Sequence, residues 1–427
     1  MIPFGLGLDI KGGPVDVPAP VPGRPFLRWS SRTHSIAGVE AELARIWASI
    51  SLTTPSEDGI PERRVAPRSS VMNLVVIAGK GEVAERAAAI VDGLTGRHPS
   101  RTLIVSSADP DGPAWLDAQV QAHCLLPTDG AAETCAELVY LTAGGETAQH
   151  LAGVVAPLLI HDLPVTAWWP SEPRFESVQT RDLLTMADRV LVDGAAWAGD
   201  GLRHLAVMAQ LPRQYQVEIA DFALLRQARW REAIASTFDR PVLLPFLRGI
   251  RGIAVEYATR DGTPGVSNVV RPLYHVAWLA SRLGMTVDEP LVMSDEPWVG
   301  YRATLRSGRR RVAVELRPIE SSILRGTTLA VEILANRQSS RLRIEVTGQA
   351  EGVTVGATLD GRGMQPRRFL SPRKAEGQLL AETIEGVAAD RISAGALAMA
   401  GAIIGSGAAP ATAAPGAARG TAPAAAR

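Results

Sequence analysis

A chain of 427 residues with 46% hydrophobic content is too long for one ordinary core and calls for at least two domains. Its 44 Lys+Arg balance 44 Asp+Glu, which excludes a global electrostatic pull toward nucleic acid or an anionic membrane. Two cysteines exclude a disulfide framework and a cysteine-built zinc site, and fit a reducing compartment.

In chain order, residues 1–28 are Gly/Pro-rich (VPAPVPGRP) and read as an extended arm. No basic region followed by an apolar stretch and cleavage site stands at the N-terminus, so the expected location is the cytoplasm. Ile36, Val39, Leu43, Ile46 and Ile50 recur at helical spacing, which predicts an amphipathic helix over 32–51. A Pro-, Glu- and Arg-rich loop over 53–69 follows. Strand and helix then alternate: a strand at 72–78, a helix at 83–94 and a strand at 102–106. Segments 118–126 and 134–142, joined across Asp129 and Gly130, read as an antiparallel hairpin, so the sheet is mixed.

Residues 151–160 form an apolar helix, and Val165, Thr166, Trp168 and Trp169 suit a central strand over 165–169. Adjacent tryptophans on a strand point to opposite faces. A helix at 181–187, a strand at 189–193, a helix near 201–210 and a long helix at 222–238 capped by Asp221 close the first domain. Past Pro241 come a strand at 252–259 and a helix at 272–283 bearing Trp278. Short strands follow at 301–306, 311–317, 328–334, 341–346 and 353–359, punctuated by Gly308, Gly326, Gly348 and Gly361, then a helix at 375–389. The expected organisation is an α/β domain with a mixed sheet and flanking helices over 29–240, and a smaller α+β domain built on an antiparallel meander over 241–392. A low-complexity Ala/Pro-rich tail is expected over 393–427, and its part 405–427 has nothing with which to build a core and reads as disordered. The small-residue run 394–404 is too short to span a membrane.

Among motifs, Gly79-Lys80-Gly81-Glu82-Val83-Ala84 follows a strand and opens a helix, as a dinucleotide-binding turn requires. Asp109 would serve the ribose, yet it lies beyond the usual spacing, and Glu82 puts negative charge where phosphates sit. The plainer reading is a strand-to-helix turn. Aligning the apolar face Val120, Ala122, Cys124 with Ala136, Leu138, Tyr140 places Cys124 and Cys135 on opposite sides, as two reduced thiols. His98 and Arg101 of HPSR form either an anion site or a helix-exit turn near a carboxyl-terminal dipole. Asp162 of His161-Asp162 caps a turn, and Arg309, Arg310 and Arg311 with Arg306 form a solvated hairpin tip. The sequence has no P-loop, zinc spacing, G-x-S-x-G or metal-binding carboxylate cluster, so no catalytic constellation, cofactor or metal is expected. His98, Arg101, Trp168, Trp169 and Trp230 are the candidate partner-interface residues, because Trp and Arg dominate interface energetics; the competing expectation for Trp is burial.

Six stretches together resemble the glucose-6-phosphate dehydrogenase assembly protein family, OpcA: MNLVVIA (72–78), HPSRTLIV (98–105), QVQAHC (119–124), PLLIHDLPVTAWWP (157–170), ADRVLVD (187–193) and WLASRLG (278–284). The resemblance implies a non-enzymatic partner of glucose-6-phosphate dehydrogenase that promotes its assembly or activity in the oxidative pentose phosphate pathway, with no catalytic residues to transfer. Some members are linked to redox control through cysteines; here a lone Cys135 stands where a cysteine pair is expected. The alternative is a nucleotide- or NAD(P)-binding enzyme using the Gly79–Gly81 turn.

Overall fold

The computed structural model describes residues 13–14, 21–49, 51–54, 62–65, 70–94, 98–109, 111–128, 133–294, 299–386 and 391–405. Most of the expected arm, Ile50, parts of the 53–69 loop, the turn at Asp129 and Gly130, and the tail beyond 405 lie outside them.

The first half of the chain runs β1 (Gly13–Pro14), β2 (Pro25–Thr33), α1 (Ile36–Ser49), β3 (Ser51–Thr54), β4 (Glu62–Val65), β5 (Met72–Ile77), α2 (Gly81–Asp92) and β6 (Ser100–Ser107). It continues through β7 (Trp115–Leu125), β8 (Thr134–Gly144), α3 (Gly145–Gln149), α4 (Leu151–Val155), β9 (Val165–Trp168), α5 (Val178–Leu184) and β10 (Arg189–Val192). Then come α6 (Leu202–Met208), α7 (Leu211–Tyr215), β11 (Glu218–Asp221), α8 (Phe222–Leu225) and α9 (Ala228–Thr237). Nine strands make one mixed sheet in the order β1-β2-β7-β8-β6-β5-β9-β10-β11. From β8 to β11 all neighbours are parallel, and β7, β2 and β1 add antiparallel at one edge.

Handedness decides where the helices go. The crossover β5–α2–β6 advances toward one edge and β9–α5–β10 toward the other, and right-handed crossovers then place α2 and α5 on opposite faces. The α2 side of β9–β11 therefore receives no crossover helix of its own. A helix from far along the chain, Glu376–Glu385, covers it: Leu379, Leu380 and Ala381 are buried with Ala84, Ala87, Ala88, Trp168 and Phe222. The residue pair Trp168 and Trp169 behaves as strand geometry demands, with Trp168 in that cluster and Trp169 in the core on the other face. The 151–160 helix is shorter than expected, and its small residues Gly153 and Ala156 are exposed.

The second half runs β12 (Ile250–Thr259), α10 (Val270–Arg282), β13 (Thr286–Ser294), β14 (Gly300–Ser307), β15 (Arg310–Glu320), β16 (Thr328–Arg337) and β17 (Ser340–Gln349). It ends with β18 (Gly352–Leu359), β19 (Arg362–Gly363), β20 (Arg367–Leu370), α11 (Glu376–Glu385) and α12 (Arg391–Ile404). The expected meander is interrupted: β12 lies between β15, to which it is parallel, and β16, to which it is antiparallel. Helix α10 is buried on nearly every side and forms the joint, with Tyr274, Val276 and Ala280 fully enclosed.

Helix α12 corrects the expectation of a tail from residue 393. Ala396, Leu397, Ala400, Ile403 and Ile404 are buried, and a Cβ added at Gly401 would come within 2.5 Å of the Ala209 methyl carbon. Small residues let this helix approach α6 closely, so a composition that reads as low-complexity is a packing surface. Strand β13 also escaped the sequence reading, because Pro290 interrupts it; its pairing with β14 is shifted on either side, as suits an edge strand.

Candidate functional site

The parallel strands β8-β6-β5-β9-β10-β11 read 3-2-1-4-5-6 in chain order, the arrangement in which dinucleotides bind at the carboxyl ends where the order reverses, here between β5 and β9. Gly79, at φ +36, and Gly81 stand at that point, and a Cβ on either would meet nothing within 4 Å. The surrounding charges do not suit a pyrophosphate. Arg86 donates to the Pro170 carbonyl at 2.9 Å and lies 3.8 Å from Glu376, in the first turn of α11. Burial pushes the Glu376 carboxyl up, opposed by Arg86 and reinforced by Asp193. Glu82 adds a further carboxylate to the first turn of α2. The space at Gly79 and Gly81 is open, but the chain sets the carboxylates of Glu82 and Glu376 beside it, and these do not fit a pyrophosphate.

Next to this point lies a buried latch. Asp221, the last residue of β11, accepts from Gly194 N–H at 2.9 Å and Ala223 N–H at 2.8 Å through Oδ1, and from the Tyr274 hydroxyl at 3.0 Å through Oδ2. Burial raises its carboxyl to about 7, Asp193 adds to the rise, and the three donors oppose it. Asp193 itself pairs with Arg226 at 2.7 Å. Asn268 donates to the carbonyls of Gly194 at 2.8 Å and Trp197 at 3.1 Å, and Gln227 donates to the Arg271 carbonyl at 2.7 Å. Both Asp221 oxygens are engaged by the chain itself. The arrangement locks the end of the first sheet to α10; it is built to hold, with no oxygen left to meet a substrate.

The hairpin β7–β8 overturns the expectation of two reduced thiols. Cys124 and Cys135 are direct cross-strand partners with Cα atoms 4.0 Å apart, joined as a disulfide. The register pairs Val120 with Val139 and Ala122 with Glu137, so the face shared with Cys124 is Cys135, Glu137, Val139 and Leu141. That face was misread because β8 is interior, apolar on both sides, and because the buried Glu137 looks like an outward residue. Glu133, 3% exposed, lies beside the sulfurs and takes a bidentate pair from Arg28 at 2.6 and 2.8 Å. Cys124, Glu133 and Cys135 offer ligand atoms within 4.8 Å of one another, but bonded sulfurs lack the thiolate that metals prefer.

The five candidate interface residues do not converge. Arg101 is 2% exposed and donates to Glu137 at 2.5 Å and to the Leu158 carbonyl at 2.6 Å, while Trp47 also donates to Glu137. Burial raises the Glu137 carboxyl against the pull of Arg101. Trp168 and Trp169 are core residues. His98 turns the other way from Arg101 and meets Glu385 of α11 at 3.0 Å. Trp230 is half-buried at the joint, its ring 5.1 Å from that of His275 and closing over Gly348 of β17. At the basic tip Arg306 and Arg311 pair with Asp288 and Glu289 of β13 while staying about half exposed, so the tip is solvated, as expected, with ion pairs added.

Sequence reasoning missed a hollow of about 480 Å³ beside β11, the last strand of the sheet. Its walls are α7, α11 and α12. The two elements that define it, β11 and α12, are those that the sequence hid: one is four residues long, the other resembles a tail.

Fold and site together define a two-sheet chain in which a sheet of dinucleotide-type strand order, with carboxylates of its own beside the switch point, is latched to a second sheet. The family model described as the glucose-6-phosphate dehydrogenase subunit N-terminal domain matches residues 91–210, and that for the C-terminal domain matches residues 217–397. The chain belongs to this family, OpcA. An OxPP cycle protein OpcA from Synechocystis sp. is 29% identical over 213 residues, a match covering 49% of this chain and 42% of that relative. This chain therefore matches less than half of the relative's length. Among solved structures, a 3-ketoreductase from Actinomadura kijaniata aligns over 78% of this chain and 95% of its own, at 14% identity and a TM-score of 0.42. An NAD binding oxidoreductase from Klebsiella pneumoniae aligns over 78% and 96%, at 10% identity and a TM-score of 0.41. Likenesses this weak carry no functional argument.

Proposed function

We propose that this chain is a non-catalytic assembly partner and allosteric activator of glucose-6-phosphate dehydrogenase, working in the cytoplasm as part of the oxidative pentose phosphate pathway. The observation that carries the reading is the family match, which extends over both halves of the chain. The carboxylates of Glu82 and Glu376 beside the switch point support it. Contact with the dehydrogenase is assigned to the apolar loops at one end of the second sheet, where Val266, Met293, Ile323 and Leu324 are 60, 59, 45 and 75% exposed. Met293 lies 3.9 Å from where a Cβ on Gly265 would stand, and Gly326 packs on the Asn268 carbonyl, so these loops share one end. Exposed apolar side chains gathered in this way mark interaction surfaces. An activator must bind the active form of its partner more tightly than the inactive form; otherwise it shifts nothing.

The test mixes the chain with the dehydrogenase of the same organism. Co-elution is expected, with at least tenfold weaker binding by Leu324→Asp and Met293→Asp. Wild-type affinity in both variants would remove the loop assignment. A nucleotide-binding reading is favoured by one observation, the strand order. It requires NADP+ to raise Tm and Gly81→Asp to abolish the rise; that result would displace the assembly reading.

A further inference from the structure

We propose that the hollow beside β11 binds a monoanionic amphiphile, an acyl-chain carboxylate, with its apolar body against α12 and its carboxylate on Arg213. The volume of about 480 Å³ falls within the range of small-ligand sites, roughly 300–1,000 Å³. Its walls are predominantly apolar, formed by Pro212, Val217, Ile219, Leu225, Leu397 and Ala398. Such walls exclude nucleotides and sugar phosphates, which need a polar group for nearly every heteroatom they bury.

Among the described residues two guanidiniums and two carboxylates line the hollow; Glu382 is paired with Lys374 at 2.7 Å and Glu218 with Arg189, and the two guanidiniums differ. Arg189 is spent on the chain: it pairs with Glu218 at 3.0 Å and donates to the Thr383 carbonyl at 2.9 Å, fixing the end of α11 against the sheet. Arg213 is exposed at the rim and makes no side-chain hydrogen bond or ion pair with the described residues. Among the described residues, one unpaired cation at the mouth of a largely apolar hollow matches one anionic head on an apolar body. A bound ligand would touch α7, α11 and α12 at once, and so would fasten the C-terminal helices to the sheet edge.

The full chain is titrated calorimetrically with dodecanoate, below its micelle concentration, and with dodecan-1-ol. Saturable one-site binding of dodecanoate is expected. Ala398→Trp, which fills the hollow from an exposed position on α12, weakens it at least tenfold. Arg213→Glu weakens dodecanoate at least tenfold and dodecan-1-ol less than threefold. An unchanged far-ultraviolet spectrum and Tm show that each variant is folded. Absence of saturable binding, or wild-type affinity in Ala398→Trp, overturns the proposal; equal losses for acid and alcohol in Arg213→Glu overturn the placement of the head group.

Discussion

Replacing Asp221 by Asn removes one titration from the joint between the first sheet and α10 and leaves its hydrogen bonds in place. Asn Oδ1 still accepts from Gly194 and Ala223, and its amide donates to the Tyr274 hydroxyl where Asp221 had accepted. The folded carboxyl stands at about 7 against 3.8 for the free group, so the folded state holds the proton more firmly than the unfolded one. This favourable contribution is fully present below about pH 4 and is lost as pH rises through about 7. A difference of about three pH units corresponds to about 3–5 kcal/mol, at about 1.4 kcal/mol for each unit. Urea denaturation of wild type and variant from pH 4 to 8.5 measures it. Stabilities within about 1 kcal/mol at pH 4 and a variant more stable by about 3–5 kcal/mol at pH 8 are expected. The subtraction matters because His275, pushed down to about 3 by burial with Arg231 adding, acts in the opposite sense, and its contribution is lost as pH falls below 6.5. Parallel curves for wild type and Asp221→Asn would refute the argument.

Two further outcomes follow from buried pairs. The disulfide Cys124–Cys135 closes a loop with a sequence separation of 11, so reduction or the double change to Ala lowers stability by about 3 kcal/mol, read as a fall in the urea midpoint. An unchanged midpoint on reduction would place the bond outside the stability of the fold. Glu137→Leu leaves the buried Arg101 guanidinium only the longer contact to Glu40 at 3.3 Å and the Leu158 carbonyl, and costs about 3–5 kcal/mol, whereas Arg101→Met with Glu137→Leu recovers most of the loss. Equal stability of the single and double variants would show that the pair is not a coupled ion pair.

Most of the α/β alternation was legible because apolar runs such as Leu74–Val76 and Val190–Val192 are bounded by turn residues and buried as expected. The adjacent tryptophans declared their opposite faces through strand geometry alone. Several illegible features share a cause: their partners are distant in sequence. The face covered by α11 is bare only because crossovers are right-handed, and β12 joins β15 across residues 260–309. The register of Cys124 and Cys135 depended on which side of an interior strand faced inward, and a doubly buried strand has no polar side to say so. Arg101 and Glu137 look like surface residues until β6 and β8 are placed side by side. The candidate site suffered most, since Trp and Arg recommend themselves equally for an interface and for a core.

The claim that this chain acts through contact with a dehydrogenase is tested most directly by adding it, in increasing amounts, to the purified glucose-6-phosphate dehydrogenase of its own organism while recording sedimentation and steady-state rates together. A faster-sedimenting complex at fixed stoichiometry, with kcat/KM rising to a plateau at the same ratio, is the expected result. Two independent boundaries and unaltered kinetics at every ratio would contradict it.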